Sequence, residues 1–163
     1  MIDSPLLERS HGYIGGQWVG EDCAETFPVT NPATGEQLAC LPAMNSAHTR
    51  SAVEAAQSAL SLSDLVSLSR RRSWLEGVRD ALKEERQEIG RILCLEHGKP
   101  LKESVGEVDY AAGFFDYCAR YIDQLDSHTI PEQPKECSWA VHYRPIGVAG
   151  LITPWNFPIG MIA

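Results

Sequence analysis

The strongest structural signal in the sequence is a row of apolar residues whose spacing alternates between four and three positions. The row consists of Leu101, Val105, Val108, Ala112, Phe115, Ala119 and Ile122. Because an α-helix turns once in about 3.6 residues, this spacing predicts a long helix over residues 101–124 with one buried stripe. A coiled-coil partner or the rest of its own domain would bury that stripe. Since sustained pairs of opposite charges are absent beside it, packing within the domain is favoured.

Two hairpins are predicted ahead of the helices, because two stretches combine apolar residues with turn-forming residues. The first covers residues 13–20, where Gly15 and Gly16 supply the positive φ angles that a two-residue turn requires. The second covers residues 27–42, with its turn in the sequence NPATG. The fold is therefore expected to start with two small antiparallel units.

Shorter helices are predicted between the hairpins and the long helix. The first starts at a cap formed by Asn45 or Ser46. The second starts near Ser69, and the arginines at 70–72 are expected to lie on its solvated face. Its apolar stripe consists of Trp74, Leu75, Val78 and Leu82.

A third short helix, over about 85–96, has a well-marked end. Gly98 suits the left-handed position that follows a helix, and Pro100 cannot continue one. The long helix is therefore expected to start anew after this break.

The chain changes from helices to strands after residue 127. Residues 138–144 alternate loosely between polar and apolar side chains and are interpreted as a strand that ends at Pro145. Residues 147–152 are small and branched, a composition typical of a strand buried on both faces of a parallel sheet. A parallel neighbour requires a crossover connection, which does not follow within this sequence. The predicted fold class is α/β, with helices followed by the start of a parallel sheet.

Composition narrows the functional classes. A formal net charge of −8 argues against a nucleic-acid partner, because acidic side chains outnumber the basic ones that would bind its phosphates. No apolar run is long enough to cross a membrane, and the first residues do not resemble a secretory signal.

Five scattered cysteines are an odd number and imply no disulfide framework, so a cytoplasmic location is expected. No metal site is predicted, since Cys94 and His97 supply at most half of the four ligands of structural zinc.

The sequence GLITPWNFPIG, at residues 150–160, contains a single carboxamide, Asn156, in a largely apolar run. It follows the predicted strand, at the end where ligands bind in open α/β sheets. Pro154 and Pro158 restrict the backbone on both sides, so the loop is expected to present Asn156 rigidly. Its amide offers two donors, which suits stabilisation of a developing oxyanion. The residues alone leave a second interpretation open, in which the amide closes a turn and caps the following helix.

Several stretches, in the same order and at the same spacing, resemble the NAD(P)-dependent aldehyde dehydrogenase superfamily. They are YIGGQWV, NPATGE, AVEAAQSAL, LEHGKPLKES followed by GEV, HYRPIGV, and GVAGLITPWNFP. The resemblance covers the chain from about Tyr13 onwards. The stretches LEHGKPL, HTIP and ITPWNFP are most similar to the succinate-semialdehyde dehydrogenase branch.

This resemblance implies an aldehyde dehydrogenase-like fold, of which the chain is the incomplete N-terminal portion of the cofactor-binding domain. The implied organisation is a flexible N-terminal arm at 1–12, hairpins and helices of the cofactor-binding domain at 13–127, oligomerisation strands at 128–144, and the first sheet strand with the active-site loop at 145–163. Through the strands near 128–144 the protein is expected to form a homo-oligomer, either a dimer or a tetramer.

The resemblance also implies the chemistry. A small aldehyde, either succinate semialdehyde or a similar semialdehyde, is oxidised to a carboxylic acid with NAD or NADP. A cysteine thiolate forms a thiohemiacetal, hydride is transferred, and a glutamate-activated water releases the acid. Asn156 corresponds to the asparagine whose amide stabilises the oxyanion. The segment lining the nicotinamide and its ribose corresponds to Ile152, Thr153, Pro154 and Trp155.

The sequence departs from the family pattern in two respects. By the resemblance, the nucleophilic cysteine and the general-base glutamate lie beyond residue 163, so the 163-residue chain is expected to be inactive alone. Alternatively, the chain is a truncated, non-catalytic product or an oligomerisation or interaction module. Leu65 and Val66 also stand where relatives have a tryptophan before the second helix, and are expected to fill its place in the packing.

Overall fold

A computed structural model of the chain describes residues 2–7, 11–61 and 67–163, so the predicted packing positions Leu65 and Val66 lie outside it. The helices are α1 Ser46–Ala59, α2 Leu68–Glu84, α3 Arg86–His97, α4 Leu101–Tyr121 and α5 Pro158–Ile162. The strands are β1 Gly12–Ile14, β2 Gln17–Val19, β3 Thr26–Thr30, β4 Gln37–Pro42, β5 His128–Thr129 and β6 Ala140–Val141. They pair antiparallel as β1–β2, β3–β4 and β5–β6. Among the residues described, no helix combines the length and the apolar character needed to cross a bilayer.

Both predicted hairpins are confirmed. Between β1 and β2, Gly15 and Gly16 have φ angles of 59° and 85°, which side-chain-bearing residues adopt only with strain. Between β3 and β4, the Asn31 side chain accepts a hydrogen bond from the N–H of Ala33 at 2.9 Å. Gly35, with φ of 73°, completes that turn. Local turn chemistry thus determines where each pair of strands reverses.

Residues 2–7 contact the body of the structure. The N–H of Ile2 donates to the carbonyl of Leu38 at 2.9 Å, which extends the edge of the second hairpin. Arg91 of α3 donates to the carbonyl of Asp3 at 2.7 Å. The described part of the predicted arm is therefore attached to both a strand and a helix.

Helix α4 is central to the helical layer, since it packs against α2, α3 and α5. Its buried residues are Ser104, Val105, Glu107, Val108, Ala111, Ala112 and Ala119. Most of the predicted stripe is confirmed, and its own domain buries it. The prediction is wrong for Leu101, which stands at the first position of the helix and is 50% exposed. The buried face is also wider than predicted, because neighbouring helices cover α4 from more than one side.

The crossing of α3 and α4 is closest at Gly90, which is buried. A Cβ atom built on Gly90 would lie 2.5 Å from Cγ2 and 2.9 Å from Cα of Val105. No side chain fits at such distances, so glycine is what lets the two backbones approach.

Helix α2 is oriented differently from the prediction. Arg72 does not lie on a solvated face: its Nε donates to the carbonyl of Ala119 at 3.1 Å, and its guanidinium pairs with Asp123 at 2.5 Å. Trp74 and Val78, expected in the buried stripe, are exposed instead. The physical reason is that the Ala119 carbonyl, near the C-terminal end of α4, and the Asp123 carboxylate, just after that end, are acceptors that a guanidinium binds and an indole ring does not.

The C-terminal region forms fewer strand pairs than predicted. The strand expected at 138–144 is reduced to β6, which pairs Val141 with His128 and Ala140 with Thr129. Within the described part of the chain, residues 147–152 pair with no strand, and Ile152 is fully exposed. The prediction of a strand buried on both faces is wrong for these residues as they stand here, because a strand needs neighbours and the described residues provide none.

The start of α1 gives a direct test of the predicted cap. Asn45 is the N-cap, and its side-chain oxygen accepts from the N–H groups of Ala47 at 2.9 Å and His48 at 3.4 Å. We expect Asn45→Ala to lower the free energy of unfolding by about 1 kcal/mol, because two N–H groups lose their acceptor. The measurement is the urea midpoint of the complete protein. Ser51→Ala, at an exposed position within α1, is the control and should leave the midpoint nearly unchanged.

Candidate active site

The loop that carries Asn156 joins the exposed residues 147–152 to helix α5. Pro154 lies at its start, residues 155 and 156 form a turn, and Pro158 is the first residue of α5. A proline at the first helical position has no N–H to leave unpaired and already has a helical φ. The sequence therefore restricts the loop on both sides of Asn156, as predicted.

Glu107, on the buried face of α4, caps α5. Its Oε1 atom accepts hydrogen bonds from the N–H of Ile159 at 2.9 Å and the N–H of Gly160 at 3.1 Å. The residue is only 3% exposed. Free N–H groups at a helix N-terminus attract a negative charge, so this carboxylate satisfies the start of α5.

Lys99 connects Glu107 to the loop. Its Nζ lies 2.5 Å from Oε2 of Glu107 and also donates to the backbone carbonyl of Asn156 at 2.9 Å. The same ammonium lies 4.7 Å from the centre of the Phe157 ring, within the range of a cation–π contact. The Lys99 ammonium thus contacts three groups of the site: the capping carboxylate of Glu107, the backbone of Asn156 and the Phe157 ring.

The pKa of Glu107 reflects these contacts. Burial alone would raise it, because removing a carboxylate from water disfavours its charged form. The hydrogen bond from Lys99 and those from the N–H groups of Gly160 and Ile159 outweigh burial, so the pKa of Glu107 lies below its ordinary value. The group is therefore a stable carboxylate at neutral pH.

The side chain of Asn156 has no hydrogen-bond partner among the described residues, and the residue is exposed. The local alternative, in which its amide caps the following helix, does not match the geometry, because Glu107 performs that capping. The backbone of Asn156 is held while its two amide donors stay available to a ligand.

The other four predicted site residues directly precede Asn156. Ile152 is fully exposed, Thr153 is half-buried, and Pro154 and Trp155 are exposed. The Trp155 ring stacks on the ring of His97, with centroids 5.9 Å apart and planes inclined by 29°. The side chains of residues 152–155 carry no charge and directly precede Asn156 in the loop.

The fold and the loop match a known family over almost the entire chain. The family model described as "Aldehyde dehydrogenase family" matches residues 18–163. The chain belongs to the aldehyde dehydrogenase family. Its structure is accordingly a partial aldehyde dehydrogenase fold, which confirms the predicted fold class.

Individual relatives of this aldehyde dehydrogenase chain agree. It is 39% identical over 156 residues to the glutarate-semialdehyde dehydrogenase of Pseudomonas putida, covering 96% of this chain and 32% of that protein. It is 36% identical over 161 residues to the NADP(+) succinate-semialdehyde dehydrogenase GabD of Escherichia coli, covering 99% and 33%. An oxidoreductase structure from Marinobacter aquaeolei is 64% identical with a TM-score of 0.93, covering 99% and 34%. The chain therefore spans about a third of the length of the curated relatives it matches.

Sequence reasoning missed Lys99 and Glu107 in this aldehyde dehydrogenase site. Both lie in the stretch LEHGKPLKES followed by GEV, which indicated the family but received no role. One signal was available: Glu107 precedes Val108 of the apolar stripe, and a carboxylate that near a buried face needs a partner. Its partners, however, are N–H groups more than fifty residues away, which no local pattern indicates.

Among the described residues, one cluster of potential metal ligands lies outside this loop. It consists of Asp22, Cys23 and His48, whose ligand atoms lie within 4.8 Å of one another. Structural zinc takes four protein ligands, and this cluster offers three, of which Asp22 is exposed. We assign it no metal.

The lowered pKa of Glu107 predicts how acid affects stability. Because the pKa of Glu107 is lower in the folded than in the unfolded chain, the unfolded state binds more protons in acid. The Glu107 carboxylate therefore stabilises the fold fully above the unfolded pKa of about 4.3, and this stabilisation is lost as the pH falls below that value. We expect wild-type stability to fall more steeply than that of Glu107→Gln as pH drops below about 4.3. Urea midpoints of both proteins across this range provide the measurement. Parallel curves would contradict the assignment.

Proposed function

We propose that the complete protein is an NAD(P)-dependent dehydrogenase that oxidises a small semialdehyde, with succinate or glutarate semialdehyde as the substrate class, to a dicarboxylic acid. The observation that carries the proposal is Asn156, whose backbone is fixed by Lys99 while its amide has no partner in the described structure. Relatives of 39% and 36% identity that are named glutarate- and succinate-semialdehyde dehydrogenases support the substrate class.

In this proposal Asn156 acts as an oxyanion donor. A cysteine thiolate from outside residues 1–163 adds to the aldehyde carbon, and the carbonyl oxygen gains negative charge as the thiohemiacetal forms. A carboxamide N–H held in place by a rigid backbone stabilises that charge without a cost of reorganisation. A glutamate, also from outside this chain, then activates the water that releases the acid.

The residues beside Asn156 fit the nicotinamide end of NAD or NADP. Ile152 and Trp155 offer exposed apolar surface, Thr153 adds a hydroxyl, and residues 145–163 contain no charged side chain. A planar ring suits such an edge, so we propose Ile152, Thr153, Pro154 and Trp155 as cofactor-binding residues. When bound, the cofactor accepts the hydride from the substrate carbon.

We also propose the remaining organisation from the family resemblance. Residues 13–127 form part of the cofactor-binding domain, strands near 128–144 join copies into a dimer or tetramer, and residues 145–163 carry the site. In the complete protein, residues 147–152 become the first sheet strand when a strand from outside residues 1–163 pairs with them. The pairing of β5 with β6 supports a protruding hairpin in the second region. All five cysteines are free thiols, which supports a reducing, cytoplasmic compartment.

The test is a substrate panel with the complete protein. NAD⁺ and NADP⁺ are each combined with succinate semialdehyde, glutarate semialdehyde, and the monofunctional aldehydes butanal and pentanal, which match them in chain length. We expect NAD(P)H formation to be fastest with a semialdehyde. Equal rates for matched pairs would contradict the substrate class, and no NAD(P)H with any aldehyde would contradict the enzymatic proposal.

A second candidate function, an interaction module without catalysis, rests on the exposed apolar side chains of Ile146, Leu151 and Ile152. The substrate panel separates the two candidates, because an interaction module forms no NAD(P)H with any aldehyde. A further prediction concerns residues 1–163 expressed alone. We expect this polypeptide to form no NAD(P)H, because the thiolate and general base are supplied from elsewhere. Turnover by it would contradict the assignment of those groups to other residues.

A further inference from the structure

We infer that Lys99 and Glu107 are positioning residues for Asn156, and that they set the catalytic rate by holding the Asn156 backbone in place. The inference rests on the proposed function, in which the Asn156 amide stabilises an oxyanion. Neither residue touches the Asn156 side chain: Lys99 acts on its carbonyl, and Glu107 acts on Lys99 and on α5.

The contacts hold the loop on both sides of Asn156. Before it, Trp155 stacks on His97, which immediately precedes the glycine–lysine pair. At it, Lys99 binds the backbone carbonyl at 2.9 Å. After it, Glu107 accepts from the N–H groups of Ile159 and Gly160. We call His97, Lys99 and Glu107 the loop support.

Burial strengthens the ion pair between Lys99 and Glu107, whose side chains are only 10% and 1% exposed. The hydrogen bond from Lys99 to the Asn156 carbonyl lies at the exposed side of this pair. The absence of a side chain at Gly160 lets α5 approach α4 closely, since a Cβ atom there would lie 3.0 Å from Cδ1 of Tyr110 on α4. The loop is therefore seated directly on α4, and a lost contact moves it relative to the helix.

The backbone between His97 and Lys99 has to turn sharply at the end of α3. Gly98 ends α3 with φ of 81°, a left-handed conformation that turns the chain so that Lys99 faces Glu107. His97 and Lys99 on either side of it both reach the loop. In the sequence HGK, Gly98 thus ends α3, and the residues on either side of it, His97 and Lys99, contact the loop.

The structure provides a matched comparison on the same helix. Asp116 of α4 pairs with Arg79 of α2 at 3.1 Å and with Arg120 at 2.6 Å, and among the described residues no ion pair joins Asp116 or Arg79 to the loop. Glu107→Gln and Asp116→Asn each remove one α4 carboxylate that is paired with a basic side chain. The Glu107 side chain is 1% exposed and that of Asp116 is 22% exposed, so the two variants are compared in kcat and in loop exchange and not in stability. A positioning role lowers kcat in Glu107→Gln and leaves it unchanged in Asp116→Asn.

The experiment is a double-mutant cycle in the complete protein. Glu107→Gln and Asp116→Asn are each measured alone and together with Asn156→Ala, using kcat and KM with succinate semialdehyde. We expect Glu107→Gln to lower kcat about 10- to 100-fold with KM changed less than about threefold, because a small displacement of Asn156 weakens only the transition state. In the Asn156→Ala background its effect should shrink to less than about twofold, and Asp116→Asn should stay within about twofold in both backgrounds.

Three outcomes overturn the inference: an unchanged kcat in Glu107→Gln, the same loss of kcat with and without Asn156, or an equal loss in Asp116→Asn. Where Glu107→Gln does not fold, Lys99→Met takes its place in the same cycle.

Hydrogen exchange of peptides covering residues 153–162 provides a readout that does not depend on activity. We expect these amides to exchange at least about tenfold faster in Glu107→Gln than in Asp116→Asn, because the N–H groups of Ile159 and Gly160 lose their charged acceptor. Equal exchange in both variants overturns the inference. A wild-type protein that reduces neither cofactor overturns the proposed function instead, and the exchange rates then still decide whether Glu107 holds the loop.

Discussion

Under the proposed function, replacing Asn156 with alanine is expected to lower kcat of the complete protein about 100- to 1,000-fold, with a much smaller change in KM for the aldehyde. The side chain has no partner within the described structure, so its removal leaves no buried group unpaired. In the proposed role its donors act only when charge develops on the substrate oxygen, and an interaction made only in the transition state affects kcat. Steady-state kinetics with succinate semialdehyde provide the measurement.

Asn45→Ala is the matched control for this prediction. It removes the same side chain from a helix cap far along the chain, where it affects α1 and no loop contact. Its kcat should remain within about twofold of wild type while its stability falls. If Asn156→Ala instead raised KM and left kcat unchanged, Asn156 would be a binding residue and the oxyanion assignment would be wrong.

The largest expected loss of stability comes from Gly90→Ala. The added methyl group would lie 2.5 Å from Cγ2 of Val105, 2.9 Å from its Cα and 3.0 Å from its N. A side chain can rotate away from such a contact, but the Val105 backbone belongs to α4 and moves only with the whole helix. We expect the free energy of unfolding to fall by about 3 kcal/mol, measured as the urea midpoint at an unchanged slope.

Gly77→Ala separates this packing effect from the general preference of helices for alanine. Gly77 lies within α2, and a Cβ atom built there would have no neighbour within 4 Å. The same substitution there should raise the free energy of unfolding by about 0.5–1 kcal/mol, since alanine suits a helix better than glycine. Two substitutions of identical chemistry are thus expected to have opposite signs. Equal effects would show that α3 and α4 do not pack as closely as described.

Elements defined by local chemistry were predictable from the sequence. The Gly15–Gly16 turn, the Asn45 cap and the end of α3 at Gly98 each depend on residues within a few positions. The α4 stripe was predictable for the same reason, since its spacing is a property of one helix. The family, and with it the partial fold, followed from several such stretches occurring in order.

Features that depend on distant partners were not predictable. Arg72 was expected in solvent, but its partners Ala119 and Asp123 belong to another part of the chain. Glu107 was unassigned because its role depends on N–H groups of α5. The spacing of apolar residues along the sequence indicates which of them share a helix face. It does not indicate which polar side chains pair between two helices, because that depends on how the helices pack.

The exposed residues 147–152 illustrate a third limit. Their apolar composition predicts a buried strand, but burial also requires neighbouring elements, which the segment itself does not supply. Among the described residues no strand lies beside them. Composition therefore predicted the kind of environment that these residues suit, and the observed environment differs.

The seating of the loop on α4 has a consequence for the order of events during synthesis. Lys99 and Glu107 precede the backbone groups that they bind by 57 and 52 residues. At translation rates of about 5–20 residues per second, those groups are made roughly 3–10 s later. Helices α2 to α4 are consecutive and pack on one another, and such local contacts form far faster than that. Asn156 is thus synthesised after the surface of α2 to α4 that binds its loop has had time to form.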